Sequence, residues 1–294
     1  MISVLNLGRC DYRSALELQE SLVELRKQER IGNVLLFVEH PPVITLGRNA
    51  RQSNIVASRE LLASRGVEIH EINRGGDVTF HGPGQLVAYP IFDLRSFDPK
   101  LGVIAYIRLL EEVLMRICAQ YAIETQRIAG MTGVWTFATP PPRLNPRLLG
   151  RDYATSAEVE VESSVRPTHW PERKIAAIGV HLSRSVTSHG FALNVTTPLD
   201  FFQLIVPCGI TKPVTSIEFE TGLRPSLDEV LTLASRTFGE LLRSQMLWLE
   251  SIHDLIRERA GEADSPAPAA TPQDTPARAP EDERRIAGDD IHLA

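Results

Sequence analysis

Residues 74–90 read RGGDVTFHGPGQLVAYP. Gly75, Gly76, Gly82 and Gly84 let the main chain take positive φ and let a ligand approach it closely. Thr79, His81 and Gln85 add polar groups, and Tyr89 adds an aromatic ring. Leu86–Phe92 is an apolar run that reads as a strand, with Pro90 forcing an edge position or a bulge because it has no N–H for a ladder. A glycine-rich turn opening onto a buried strand suits a ligand cradle. It equally suits an ordinary turn with His81 as a satisfied hydrogen-bonding side chain.

Outward from this stretch, short strands alternate with a few helices. On the N-terminal side, Asp11 caps a helix to about Glu29 with Ala15, Leu18, Leu22 and Leu25 on one face. Residues 33–38 (NVLLFV) read as a buried strand, broken by Glu39-His40-Pro41-Pro42 and resumed at Val43–Leu46. Ser58–Ser64 suits a short helix and Val67–Ile72 a strand. On the C-terminal side, Gly102–Tyr121 is helical, with Ile104, Ile107, Leu110, Leu114 and Ile117 as its apolar face. Lys174–Leu182 and Gly190–Val195 read as strands. A long helix is expected from Leu227 to about Ile256, with Val230, Leu233, Phe238, Leu241 and Leu242 facing inward. The fold class is therefore mixed α/β (α+β), a central mixed sheet flanked by helices.

Residues 139–171 contain six prolines and read as a surface insertion in a catalytic body of residues 1–260, with Glu158–Glu162 able to add a hairpin arm. Residues 261–294 are rich in Ala, Pro and acid, hold no aromatic residue, and read as a disordered tail. That tail carries −5 of the chain's formal charge of −6, so the body is nearly neutral and unlike a general nucleic-acid binder. Cys10, Cys118 and Cys208 are widely spaced and odd in number, which argues against a disulfide framework or a zinc ribbon and for a reducing, cytoplasmic setting. The first residues lack the basic start and apolar run of a signal peptide, and no stretch is apolar for long enough to span a membrane.

Phosphate-loop, dinucleotide, HExxH and G-x-S-x-G motifs are absent, and the eight histidines show no metal-ligand spacing. Three further segments carry candidate chemistry. Lys174 opens an apolar strand, RKIAAIGV (173–180); partial desolvation there would lower its pKa from about 10.4, and a lysine snorkelling from a strand end fits as well. SHGFALNV (188–195) suits an acyl-chain wall or an ordinary core. In VPCGI (206–210), Cys208 sits on a Pro-Gly turn, exposed enough to act as a nucleophile if a neighbouring Lys or His takes its proton, although a lone cysteine there is also a common structural residue. Cys118 falls in an amphipathic helix and reads as core.

Taken in order, RGGDVTFHGPGQLVAYP, KIAAIG, HGFALNV and VPCGI, with EHPPVITLGR at 39–48, resemble the lipoyl(octanoyl) transferases, the octanoyl-[acyl carrier protein]:protein N-octanoyltransferases of lipoate biosynthesis. The resemblance covers about residues 1–250 except the insertion. It implies the fold of biotin and lipoate protein ligases and a monomer. Cys208 then corresponds to the acyl-thioester nucleophile, and Lys174 to the residue that lowers its pKa or acts as its base. The substrate-contacting segments correspond to Arg74, Gly75, Gly76, Asp77, Val78, Thr79, Phe80 and His81, to Ala177, Ile178 and Gly179, and to Gly190, Phe191 and Ala192.

The implied donor is octanoyl-acyl carrier protein. The implied acceptors are lipoyl domains of 2-oxoacid dehydrogenases and the glycine cleavage H protein. Thioester exchange is nearly isoenergetic, so no cofactor or ATP is implied. An acidic carrier protein would need a local basic patch, for which Arg48, Arg51 and Arg74 are candidates. The alternatives are an ATP-dependent lipoate or biotin protein ligase, which needs no nucleophilic cysteine, and a non-catalytic scaffold that binds lipoyl domains.

Overall fold

The computed structural model describes residues 1–138, 171–206 and 212–255. Along the chain come β1 (Ile2–Arg9), α1 (Tyr12–Lys27), β2 (Asn33–Glu39), β3 (Val43–Leu46), α2 (Arg59–Ser64), β4 (Glu68–Glu71), β5 (Val78–His81) and β6 (Gln85–Ile91). Then follow α3 (Val103–Gln120), β7 (Thr125–Ile128), β8 (Met131–Thr136), β9 (Lys174–Ser183), β10 (Val186–Asn194), α4 (Ile217–Thr221), α5 (Leu227–Leu242) and β11 (Met246–Trp248). Among the described residues, eight strands form one mixed sheet in the order β11-β1-β2-β6-β10-β9-β8-β7, and β4-β3-β5 form a second. The mixed α/β expectation is thus borne out.

The capping signal at Asp11 holds: its carboxylate accepts from the Ser14 N–H at 2.9 Å, and Ala15 and Leu22 are buried. α1 then carries the chain from β1 to its parallel neighbour β2, a connection that needs a crossover. One face of the large sheet packs on α3 and α5, burying Leu110, Leu114, Ile117, Val230 and Phe238 at full depth. The other face packs on α1 through Leu5, Leu36, Val87 and Tyr89. The small sheet has its own core of Ile44, Val78 and Phe80. Among the described residues, no helix is long and apolar enough to cross a membrane.

Three expectations are corrected. Pro90 lies neither at an edge nor at a bulge that changes the count. β6 is central, and its ladder with β10 stops at Ala88–Phe191 and resumes in the same register at Asp93–Val186. The interruption absorbs the missing N–H. Ile104 is 79% exposed, outside the apolar face of α3, which Tyr106 and Val113 complete instead. The last long helix ends at Leu242, not near Ile256, because Arg243 takes a left-handed conformation (φ 48°) and the polar run Arg243–Gln245 turns the chain. β11 then returns beside β1, with Met246 opposite Ile2. The insertion reading, apart from Pro171, the Glu158–Glu162 arm, the tail and Cys208 all lie outside the described residues.

Candidate active site

Strand alternation sorts the glycine-rich block into two roles. In β5, Thr79 and His81 face a cavity between the two sheets. Val78 and Phe80 point the other way into the small-sheet core, where Phe80 stacks on Phe201 at 4.8 Å. Gly75 and Gly76 form the turn rather than the wall. The Gly75 N–H donates to the Val180 carbonyl at 3.0 Å, and Gly76 has φ +90°. Asp77 latches that turn: its carboxylate accepts from the Val78 N–H at 2.7 Å and from Asn54 Nδ2 at 2.6 Å.

The opposite wall comes from β9 and β10, through Ala177, Ile178 and Gly179 and through Gly190, Phe191 and Ala192. All three segments picked from the sequence therefore meet at one cavity. Two glycines are there for closeness. A Cβ on Gly179 would lie 3.0 Å from Arg74 Cδ and 3.1 Å from the Gly75 carbonyl oxygen, and one on Gly190 would collide with the Ala88 carbonyl oxygen. Tyr12, Tyr89 and His189 complete the lining. His189 sat inside the quoted SHGFALNV block and Tyr89 inside RGGDVTFHGPGQLVAYP. Tyr12 had no signal beyond following the cap.

Lys174 reaches this face through an irregularity. Val134 of β8 pairs with Ala176, but the next residue, Trp135, pairs with Lys174, so β9 carries one extra residue. Ile175 and Ala176 are both fully buried among the α3-side core residues. Lys174 therefore shares the face of Trp135, opposite to Val134, and so the face of Ala177 and Gly179. Its Nζ sits 4.6 Å from the Trp135 ring centroid. Gly133 leaves room for this: a Cβ there would meet the Ala176 carbonyl oxygen at 2.6 Å and Lys174 Cε at 3.5 Å.

Cys208 lies outside the described residues, but the chain on either side of it is held. The Val206 N–H donates to the Asn54 carbonyl at 2.7 Å, and Asn54 is the residue whose side chain grips Asp77. Downstream, the Lys174 N–H donates to the Pro213 carbonyl at 2.9 Å, and the Thr215 N–H donates to the Lys174 carbonyl at 2.9 Å. Thr215 Oγ1 and Arg173 both bond the Glu220 carboxylate, Arg173 in bidentate fashion at 2.8 and 2.9 Å. Val206 is thus bonded to the residue that latches the glycine-rich turn, and Pro213 to the lysine.

Electrostatically the cavity combines a buried guanidinium with neutral imidazoles. Arg74 is 7% exposed and bonds Thr45 through Nη2 at 2.9 Å to both the carbonyl and the hydroxyl. Its burial removes it from the surface patch expected for Arg48, Arg51 and Arg74; Arg48 and Arg51 are exposed. Burial pushes His81 down to about 3, helped by His40 and Arg74, and pushes His189 down to about 3, helped by Arg74. Burial likewise brings His40 to about 4. His40 Nδ1 donates to the Cys10 carbonyl, so its Nε2 accepts from the Tyr89 hydroxyl at 2.7 Å. Cys118 is fully buried, and burial raises its thiol to about 12, as befits a core cysteine. No cluster of three potential metal ligands occurs among the described residues.

Residues 11–239 match the family model of the lipoyl protein ligase A/B catalytic domain. An octanoyltransferase of Koribacter versatilis is 53% identical over 294 residues, covering 100% of both chains. One of Acidobacterium capsulatum is 52% identical over 88% of this chain and 98% of its own. Among solved structures, a bipartite lipoate protein ligase of Thermoplasma acidophilum, from a study that includes its E2 lipoyl domain, superposes with a TM-score of 0.60. It is 16% identical and covers 88% of this chain and 91% of that one. A lipoate-protein ligase A bound with ATP gives 0.56, at 16% identity, over 88% and 94%.

Proposed function

Since the chain belongs to the octanoyltransferases of the lipoyl protein ligase A/B catalytic family, we propose that it moves an octanoyl group in two steps through Cys208. The donor is the octanoyl thioester of acyl carrier protein. Cys208 thiolate attacks the carbonyl carbon, the carrier's thiol leaves with a proton, and an octanoyl-enzyme remains. The ε-amine of a lipoyl-domain lysine then attacks that thioester, an amide forms, the amine's proton goes to Lys174, and Cys208 leaves as thiol or thiolate. Lys174, in its neutral form, takes the thiol proton in the first step and the amine proton in the second. One thioester replaces another, so no nucleotide is consumed.

The observation that carries this reading is where the described chain on either side of Cys208 is bonded. Two residues before Cys208 the main chain is bonded to Asn54, and five after it to Lys174. Ala177 and Ala192, with Gly179 and Gly190, give the cavity a small-residue wall that leaves room for an alkyl chain, at about 0.8 kcal/mol per buried methylene, while the Ile178 and Phe191 side chains turn into the core on the α3 side. The remaining roles of the glycine-rich block follow its geometry: Thr79 and His81 touch substrate, Gly75–Asp77 shape the turn, and Val78 and Phe80 hold β5 on the small sheet.

The test is the intact mass of the protein after mixing with octanoyl-acyl carrier protein without ATP. One octanoyl group gained by wild type and none by Cys208→Ser, followed by its loss on adding a lipoyl domain, is the expected result. An adduct that needs ATP points to a ligase, and no adduct under either condition points to a scaffold.

A further inference from the structure

Gln85 and Asn194 stand opposite each other on β6 and β10, at 2% and 4% exposure. Buried amides cost free energy unless their polar atoms are bonded, so their arrangement is fully determined by partners. Each orientation is fixed by a main-chain carbonyl, which can only accept. Gln85 Nε2 donates to the Phe80 carbonyl at 3.2 Å, and Asn194 Nδ2 to the Thr215 carbonyl at 2.9 Å. With both amides set, Gln85 Nε2 also donates to Asn194 Oδ1 at 2.8 Å. Gln85 Oε1 is left as acceptor, 2.8 Å from His81 Nδ1. His81 must therefore carry its proton on Nδ1. Its Nε2 is a lone pair with no protein partner among the described residues, on a ring that lines the cavity. At the far end of the same chain of bonds, Thr215 is bonded to Lys174.

We propose that Gln85 is a positioning residue for the transfer reaction. It locks His81 in the Nδ1–H tautomer, so that Nε2 is offered to the cavity as acceptor for an N–H of the incoming amine, and through Asn194 it ties that ring to the main chain beside Lys174. The inference rests on the amine-acceptor reading of the second step. His81 serves here as an orienting acceptor and not as a proton store. The groups facing it favour the neutral ring: His40 from the end of β2, Arg74 from the glycine-rich turn and His189 from β10 lower its proton affinity, and Tyr12 of α1 stacks on it at 6.1 Å. Gln85 is an amide and stabilises this state without adding charge.

Two measurements test the role. Long-range proton–nitrogen spectra of the wild-type imidazoles, with the His81 signals identified by their loss in His81→Asn, should show a neutral Nδ1–H tautomer from pH 8 down to pH 5. Second, Gln85→Glu places a carboxylate on Nδ1–H, which stabilises the imidazolium and moves the His81 titration upward. Below that new midpoint Nε2 is protonated and cannot accept. Single-turnover transfer from preformed octanoyl-enzyme to a lipoyl domain should then slow about tenfold or more at acid pH, the worth of one hydrogen bond to a charged group, and recover as pH rises. Loading of the enzyme by its donor should stay near the wild-type rate. A wild-type Nε2–H tautomer overturns the proposal, and so does a Gln85→Glu loss that is equal at every pH and in both steps. If Gln85→Glu does not fold, the wild-type tautomer decides. If the wild-type protein transfers no octanoyl group, the proposed function fails on its own, and the tautomer is still read.

Discussion

Truncating Glu220 should disturb stability and catalysis together. Its side chain and that of Arg173 are 7% and 4% exposed, and the pair is bidentate, with Thr215 Oγ1 a third donor to the same carboxylate at 2.5 Å. Glu220→Ala takes the bidentate carboxylate away from a buried guanidinium. Removing one partner of a buried pair costs roughly 3–5 kcal/mol. At ~2–4 °C per kcal/mol for a domain of this size, the melting temperature should fall by roughly 6–20 °C. Thr215 also loses its acceptor, and Thr215 is bonded to Lys174 and Asn194, so single-turnover transfer should slow even well below the transition. The double variant Arg173→Met/Glu220→Leu removes both charges and should recover most of the stability. Calorimetry and single-turnover kinetics on the three proteins make the check. A Glu220→Ala protein melting within a degree or two of wild type would refute the anchoring argument.

Cys208→Ser should gain no octanoyl adduct, while Cys10→Ser and Cys118→Ser keep theirs; Cys118→Ser, with a hydroxyl in a fully buried site, should also lose about 1–3 kcal/mol in denaturant melts. Lys174→Ala should slow both steps, with partial recovery at high pH as the thiol ionises on its own, and Lys174→Arg should not rescue because a guanidinium cannot become neutral; a pH–rate profile identical to wild type refutes the role. Gly179→Ala should push the new methyl against Arg74 and Gly75, costing about 1–3 kcal/mol and weakening donor binding, read as a lower melting temperature and a raised KM. Finally, His40, His81 and His189 fold with depressed pKa values, about 4, 3 and 3, against 6.5 when unfolded. The unfolded chain therefore takes up protons first, and stability should be level above about pH 7 and fall as pH drops from 6.5 toward 4. Denaturant melts at pH 7.5 and pH 5 that agree would contradict this burial of neutral rings.

Apolar runs and turn residues were enough to read the centre of the fold. β3 matches its predicted residues 43–46, and α1 and α2 begin where Asp11 and Ser58 cap them. The edges were not legible. β7 (TQRI) is half-exposed and carries no apolar alternation, and β11 is three residues held by pairing with β1. β1 went unread because its four buried residues fade into an exposed half. At the site, composition found the segments but not which way each residue faces. Alternation puts Phe80 in a core and His81 in the cavity, and the pairing of Gln85 with Asn194 across two strands depends on register, which no local pattern reports.

The extra residue in β9 makes the placement of Lys174 a matter of counting. A strand behaves like a two-stroke cycle, and the bulge inserts one half-cycle between the lysine and the cavity wall at Ala177–Gly179. Point substitutions at Ile175 or Ala176 change volume but leave the phase intact. Deleting either residue would take the bulge away with it and leave Lys174 on the face of Trp135, whereas a regular ladder that kept both residues would turn Lys174 toward α3. The lysine's side of the sheet is thus encoded in the match between that odd spacing and the bulge, and a change that smoothed the ladder without shortening the strand would cost the site more than most replacements within it.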